Sequence, residues 1–485
     1  MTTLRTWIIF RWRQMLACAL VVSALATTGS MVGWSVEVAR MAEDPELPFN
    51  ISTSQQRWLV SSVGIASVVS TLATGWLMEA LGPCRLLSLL LLPQGLAWIT
   101  MAVSYSLPWI FVGRIITGAI GIMLTTIIQP LVAELCQPDV RGMLSALPEM
   151  AISLGLLGAY VFARFLVWQA GTLLCGVLVF PSLCGVLFVP ESPYWLIKKG
   201  RDKEATRSLM RLRAPEHDIE AEVAAIRDGI ALQALEQGSF AQQFRSMGQS
   251  VNYRPVILLS VLVVLKEVGG AMFIFMYSAY FFLAAGVVWD PFTCTVLVGV
   301  TRLLFTFVSA LVIDKVGRRP LLVFSSLTCG SAMFVIGAIV KIGSPSIAWI
   351  PLVAVLIFVA SFGLGVGPVP WILVGEMLPT PVRSLAASIC TCLFAFFTFL
   401  LSELMPQIIE VSGLDDAAFA FGAFQIFLAL TTWLFVPETR GRTLEDLQTA
   451  FSGAALRPFR KSREGYVQAY GSTFSEAGPS QSKKA

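Results

Sequence analysis

The chain has 485 residues, 56% hydrophobic and only 13% charged, with a formal net charge of +4. Soluble domains carry about 25% charged residues, so the composition is that of an all-α integral membrane protein. A single histidine, nine cysteines without metal-ligand spacing and no nucleophile motif speak against hydrolase or metalloenzyme chemistry, so no catalytic residue, metal or cofactor is expected.

Residues 1–14 carry Arg5, Arg11 and Arg13, and the uncharged run 14–36 follows. That run is too long for a signal-peptide core and lacks a clear cleavage site, so it predicts a first transmembrane helix. The polar stretch up to Arg57 holds the sequon Asn50-Ile51-Ser52, which suits a glycosylated extracellular loop. Apolar runs at 58–78, 86–103, 109–133, 145–164 and 167–189 give spans two to six, with Arg114 inside the fourth. Residues 191–253 are polar, and 202–213 and 219–235 read as short amphipathic helices.

The seventh span starts at Arg254 and holds the adjacent charges Lys266 and Glu267 beside Gly269 and Gly270. At 1.5 Å per residue Lys266 lies about 18 Å beyond Arg254, near mid-membrane, where charges are costly and usually functional. Neighbours at i, i+1 do not face each other on a helix, so separate partners are expected. Runs at 292–313 (with Arg302 inside), 321–340, 347–375, 384–404 and 417–436 complete twelve spans. The expected units are an N-terminal segment 1–14, a six-helix half 15–190, a helical linker 191–253, a second six-helix half 254–437 and a tail 438–485 with a disordered end. Twelve spans put both termini on one side. On that side lie 27 of the 34 Lys and Arg residues, which makes it cytoplasmic.

The two halves repeat each other. Glu79 and Gly82 after span two correspond to Asp314 and Gly317 after span eight at an offset of 235, with Arg85 following in the first half and Arg318 and Arg319 in the second. Glu134 and Arg141 correspond to Glu376 and Arg383 at an offset of 242, and Glu191 to Glu438 at 247. Three matches in order imply a duplicated six-helix unit. Repetition of acid and base together favours ion pairs that close an inner gate over simple topological anchoring.

These motifs resemble the sugar porter family of the major facilitator superfamily, which includes glucose transporters and insect trehalose transporters. The resemblance covers about residues 15–451. It rests on Gly113-Arg114, Pro190-Glu191-Ser192-Pro193-Tyr194-Trp195-Leu196, Asp314 to Arg319, Gly367-Pro368-Val369-Pro370-Trp371 and Pro437-Glu438-Thr439-Arg440-Gly441-Arg442. It implies a major facilitator fold of twelve helices in two halves, alternating access, and movement of a monosaccharide or disaccharide.

The departures fall at the expected binding positions. The family's span-seven Gln-Gln-x-x-Gly-x-Asn reads Lys266-Glu267-Val268-Gly269-Gly270-Ala271-Met272 here. The span-five amide aligns with Ser153 and the span-eleven Asn with Phe394, while Trp371 remains to stack on a sugar ring. The basic pair that usually follows Gly82 is missing. Proton-coupled relatives pair a span-one acid with the span-four arginine; Ser35 aligns with that acid, which favours a uniporter. Glu267 lies 13 residues from Arg254 and Arg302 lies 12 from Asp314, so the two reach similar depth on consecutive antiparallel spans. A Glu267–Arg302 pair is therefore expected, leaving Lys266 free to face the cavity.

The resulting expectation is a monomeric plasma-membrane carrier of a small polar solute, a hexose or trehalose, working by facilitated diffusion with no nucleic-acid partner. The rivals are a carrier of a non-sugar organic anion and a transport-inactive solute sensor.

Overall fold

The computed structural model describes residues 2–45, 47–137, 144, 146–213, 218–237 and 240–441. Arg141 and the tail beyond Gly441 lie outside the described residues. All regular elements among them are helices, and eleven helical runs are long and apolar enough to cross a bilayer. The remaining expected span forms as Leu147–Phe165, a shorter helix of 19 residues with Glu149 and Arg164 near its ends. At 1.5 Å per residue it still reaches about 28 Å, close to the hydrocarbon thickness.

In chain order, α1 (Thr2–Gly33) runs through a 3-10 turn (Trp34–Val36) into α2 (Glu37–Glu43). Then come α3 (Thr53–Leu81), α4 (Pro83–Val103), α5 (Leu107–Leu135), α6 (Leu147–Phe165), α7 (Trp168–Val177) and α8 (Val179–Phe188). Four linker helices follow: α9 (Pro193–Lys198), α10 (Asp202–Leu212), α11 (Ile219–Gln237) and α12 (Phe240–Ser246). Span seven is divided into α13 (Ser250–Val268), α14 (Ala271–Met276) and α15 (Ser278–Ala284). The rest are α16 (Pro291–Val316), α17 (Arg318–Ile342), α18 (Ile350–Ser361), α19 (Val369–Met377), α20 (Arg383–Ser412) and α21 (Leu414–Phe435).

Local chemistry sets many of these ends. Ser52 and Gln55 form a capping box that starts α3. Asp290 caps α16 by accepting from the Thr293 N–H at 2.7 Å. Gly82 (φ +90) and Gly317 (φ +99) stop α3 and α16 in a backbone conformation that costs other residues dearly.

Two separate apolar cores form. One is built from residues 17–212 plus Met276. The other is built from residues 256–436 plus Val36, Leu156, Tyr160 and Ala163. They are called the first and second half below. The halves meet where α3 lies along α20 and α6 along α16. Both seams need small residues, because lipid offers no hydrophobic drive for helices to associate. A Cβ on Gly64 would sit 2.7 Å from Phe399 Cα, and one on Gly299 3.0 Å from Tyr160 Cδ2. Outward side chains such as Trp76 (74% exposed) and Phe188 (80%) face away from either core, as bilayer contact requires.

The linker helices build a small core of their own from Leu196, Ile197, Ala205, Leu209, Val223 and Ile226. Arg213 fastens them to the first half, donating to Leu135 O at 2.8 Å while pairing with Glu222 at 2.7 Å. The Ser384 hydroxyl donates to Gln243 of α12 at 2.8 Å, so the linker also touches the second half. This end of the bundle, with its arginines and lysines, is the basic end.

Candidate functional site

Spans seven and ten are interrupted at mid-length, and they face each other, Phe275 meeting Phe362 edge to face at 5.4 Å. Span seven breaks because Gly270 takes a left-handed conformation (φ +88) and Gly269 presses against Gln425 and Gly270 against Phe421. Span ten loosens into a π-turn, Phe362–Val366, before Gly367-Pro368 restarts it as α19. Broken helices between the halves of a bundle are where irregular backbone is tolerated and where solutes are held.

At this junction Lys266 (2% exposed) and Glu267 (1%) pair with each other, Nζ to Oε1, at 3.2 Å. Oε1 accepts no aligned hydrogen bond, so the contact is an ion pair rather than a directed bond. Glu267 Oε2 accepts from the Thr398 hydroxyl of α20 at 3.3 Å. The Lys266 ammonium lies inside a ring of aromatics: Phe394 at 5.1 Å, Trp371 at 5.3 Å and Phe362 at 5.9 Å from the ring centroids. Trp371 and Phe394 meet edge to face at 5.4 Å. Each ring presents negative π density to the cation, which steadies it in a place where water is scarce. Phe394 and Tyr277 touch both cores, so the cluster sits at the boundary between the halves.

This corrects the expected pairing. Glu267 does not pair with Arg302, and Lys266 is not free. The depth argument assumed that span seven lies beside span eight because they are consecutive. In fact α13 packs against α19, α20 and α21, whereas α16 packs against α6, α18 and the π-turn. The expectation that neighbours at i, i+1 have separate partners also fails. The helix stops at Val268, one residue beyond the pair, and the long Lys266 stem lets its ammonium reach the neighbouring carboxylate. Arg302 is stacked on Phe275 at 4.3 Å and stands 5.9 Å from Phe362.

The remaining expected contacts are scattered. Ser153 is fully buried at the seam of α6 and α16, donating to Glu149 O at 2.8 Å with Thr306 Oγ1 at 3.3 Å. Met272 is half-buried against the second core. Arg114 is wholly buried and, among the described residues, makes no ion pair with a carboxylate. It donates to Leu59 O (3.1 Å), Met31 O (2.9 Å) and the Ser35 hydroxyl (2.9 Å), over the Trp34 ring at 4.7 Å. Asn50 is exposed in the loop before α3.

At the basic end each half builds the same clasp. Glu191 accepts from the N–H groups of Cys84 (2.9 Å) and Arg85 (3.1 Å) at the start of α4. Glu438 accepts from those of Arg318 (3.1 Å) and Arg319 (3.2 Å) at the start of α17. The first clasp sits one residue later because Pro83 has no N–H. Ser192 donates to Glu134, and Thr439 donates to Glu376 at 2.5 Å. Arg318 also pairs with Asp314 (2.9 Å) and Glu376 (3.1 Å). In the first half Glu79 pairs with Lys198 of the linker at 3.2 Å, and Arg85 is exposed. Arg319 donates to Trp433 O, and Arg383 donates to Leu378 O at 3.3 Å. All of these contacts stay within one half or reach only the linker.

Contacts between the halves gather at the opposite end. Arg57 pairs with Glu403 at 3.8 Å, and the Ser61 hydroxyl donates to Glu403 at 2.7 Å. Arg164 pairs with Asp290 at 3.1 Å and donates to Thr293 at 2.8 Å. Burial pushes the Asp290 carboxyl up, but bonds from Thr293 and the Arg164 charge outweigh it and hold it below its ordinary range. Deeper in, Tyr160 donates to Phe275 O at 2.5 Å, tying α6 to α14. A cavity of about 90 Å³ lies at this end between Ser35, Arg57, Tyr277, Tyr280 and Glu410. The larger cleft, about 620 Å³, is apolar and bounded by the exposed Leu154, Leu304 and Phe307, so it serves lipid contact and not polar recognition.

Sequence reasoning missed Phe362, Thr398, the Arg57–Glu403 pair and Glu37. Glu37 is 2% exposed, and neither carboxylate oxygen accepts a hydrogen bond. The first span runs to Ala42 and not to Val36, which brings this acid inside it.

Residues 16–451 match the sugar (and other) transporter family. The chain is 27% identical over 455 residues to the facilitated trehalose transporter Tret1 of Drosophila mojavensis, covering 93% of this chain and 52% of that one. It is 28% identical over 415 residues to the Culex quinquefasciatus transporter of the same name, covering 84% and 80%. The chain spans about half the length of the first of these relatives. Its fold is similar to that of the proton:xylose symporter XylE bound to 6-bromo-6-deoxy-D-glucose (TM-score 0.74, 21% identity, 91% of this chain and 99% of that one). The inward open conformation of the Escherichia coli xylose transporter XylE is similar too (TM-score 0.73, 22% identity, 90% and 98%). The chain therefore has the major facilitator fold and belongs to the sugar (and other) transporter family, a family of transport proteins and not of enzymes.

Proposed function

We propose that the protein carries a small polar solute, with a hexose or trehalose as the leading cargo, by alternating access between residues 15–190 and 254–437. The observation that carries this reading is the asymmetry of the charged contacts. Among the described residues, the ion pairs between the halves lie at one end, Arg57–Glu403 and Arg164–Asp290. At the basic end Glu79, Glu134, Glu191, Asp314, Arg318, Glu376 and Glu438 pair only within a half or with the linker. One end is thus latched and the other is not, as a carrier caught in one phase of its cycle requires. Trp371, Phe394, Lys266 and Glu267 lie at mid-depth between the halves, where the solute would sit.

Facilitated diffusion is favoured over proton symport. A span-four arginine needs a titrating carboxylate partner to move a proton, and Arg114 has the Ser35 hydroxyl instead. The positive-inside distribution supports cytoplasmic termini, and the sequon supports a plasma-membrane location with Asn50 outside. The test is counterflow in proteoliposomes loaded with unlabelled glucose or trehalose. Labelled sugar should accumulate transiently, with the same rate after a protonophore collapses any pH gradient. A rate that follows the proton gradient would make it a symporter. Binding without exchange would make it a sensor.

A further inference from the structure

One charge at the site is left over. Lys266 and Glu267 neutralise each other at 3.2 Å, but Arg302 has no counter-ion. Its side chain is 6% exposed, and among the described residues it makes no ion pair within 4.0 Å and donates no hydrogen bond. The rings of Phe275 (4.3 Å) and Phe362 (5.9 Å) flank the guanidinium but offer no oxygen to its five N–H groups. Glu149 on α6 and Glu267 on α13 are the carboxylates that face it at longer range, and the Tyr160 hydroxyl is spent on Phe275 O. A buried, unpaired guanidinium is costly, so its retention between two moving halves points to a partner that arrives. Phe362 stands 5.9 Å from the Lys266 ammonium and 5.9 Å from Arg302, which makes the guanidinium part of the same site.

We propose that Arg302 anchors an anionic group on the transported solute, which narrows the cargo class given above: among hexose-type solutes the site takes a carboxylated one, a sugar acid, in preference to the uncharged hexose. This rests on the carrier reading above. The planar guanidinium fork matches a carboxylate with two parallel bonds. Trp371, half-buried, offers a ring surface to the apolar side of a pyranose. Phe394 and Met272 cannot bond hydroxyls, so recognition shifts from the hydroxyls to the charge. The rival partner for Arg302 is Glu149, which would close onto it when α6 and α16 shift.

The test uses the full-length protein in proteoliposomes, comparing counterflow of labelled glucuronate and labelled glucose in the wild type, Arg302→Gln, Arg302→Lys and Glu149→Gln. Glucuronate should exchange faster than glucose. Arg302→Gln should lower the glucuronate-to-glucose ratio roughly tenfold or more, and Arg302→Lys should fall between. If Arg302→Gln does not fold, quenching of wild-type tryptophan fluorescence decides. Glucuronate should bind at least about tenfold tighter than its neutral amide, glucuronamide; equal affinity overturns the proposal. Exchange of glucose that glucuronate neither joins nor inhibits overturns it and leaves the carrier reading standing. Equal loss of both solutes in Arg302→Gln and Glu149→Gln makes the pair a gate and also overturns it. No exchange of either solute by folded wild-type protein removes the carrier reading and this one together.

Discussion

Replacing Lys266 by methionine leaves Glu267 as a lone carboxylate at 1% exposure, with only the Thr398 hydroxyl to solvate it. Breaking a buried pair in this way costs about 3–5 kcal/mol, because the survivor keeps its desolvation penalty without its partner. Loss of the three ring contacts adds about 0.5–2 kcal/mol. Glu267→Gln costs less, about 1–3 kcal/mol, since the ammonium keeps its aromatic ring and the amide can still accept from Thr398. The double variant removes both charges and should return to within about 1–2 kcal/mol of the wild type, a coupling of about 2 kcal/mol or more. Unfolding midpoints of the detergent-solubilised protein, followed by tryptophan fluorescence, measure all four corners of the cycle. Additive effects of under about 0.5 kcal/mol each would refute the pair. The same cycle on Glu267 and Arg302 should show a smaller coupling than that of Lys266 and Glu267, because only a longer-range attraction joins them.

Other consequences follow from the same geometry. Glu403→Gln removes the Arg57 ion pair and weakens the Ser61 bond, so a cysteine placed at the buried Val60, which lines the cavity at this end, should react faster with an impermeant thiol reagent. Gly64→Ala puts a methyl 2.7 Å from the Phe399 backbone and should disfavour this closed seam by about 1–3 kcal/mol, read as the same rise in reactivity. Glu191→Ala strips two N–H acceptors from the start of α4 and should lower stability by about 1–2 kcal/mol, with Glu438→Ala doing likewise at α17. The Arg164–Asp290 contact carries a carboxyl held below its ordinary range, so its contribution is present at neutral pH. It is lost only as pH falls through that lowered value, and seam reactivity should be flat from about pH 5 to 8.

The sequence carried the fold far and the site only partly, for physical reasons. Span existence is written in long apolar runs, and the repeat at offsets 235, 242 and 247 marks the two clasps of Glu191 and Glu438. The repeat was legible because each copy keeps its glycine and its acid. Those acids were expected in gate-closing ion pairs, and that Glu191 and Glu438 accept backbone N–H groups within their own half was not legible. The pairing of Lys266 was not legible. Depth along a helix is a one-dimensional quantity, and it says nothing of which span lies alongside. Phe362 was hidden because one phenylalanine in an apolar run looks like any lipid-facing ring; only the π-turn at Phe362–Val366 distinguishes it. Arg57 and Glu403 lie 346 residues apart on helices whose packing no local signal announces. Glu37 was assigned to a loop because the first span was ended too early, at Val36.

The alternation of the two ends is the central claim, and distances measured by paired spin labels test it most directly. In a background without the nine native cysteines, one pair would span the latched end at Ser54 and Val411. A second pair would span the basic end at Glu79 and Lys315. Saturating transported solute should move part of the population so that the first distance lengthens while the second shortens. Distances that stay fixed with solute bound, or that lengthen together at both ends, would contradict alternating access.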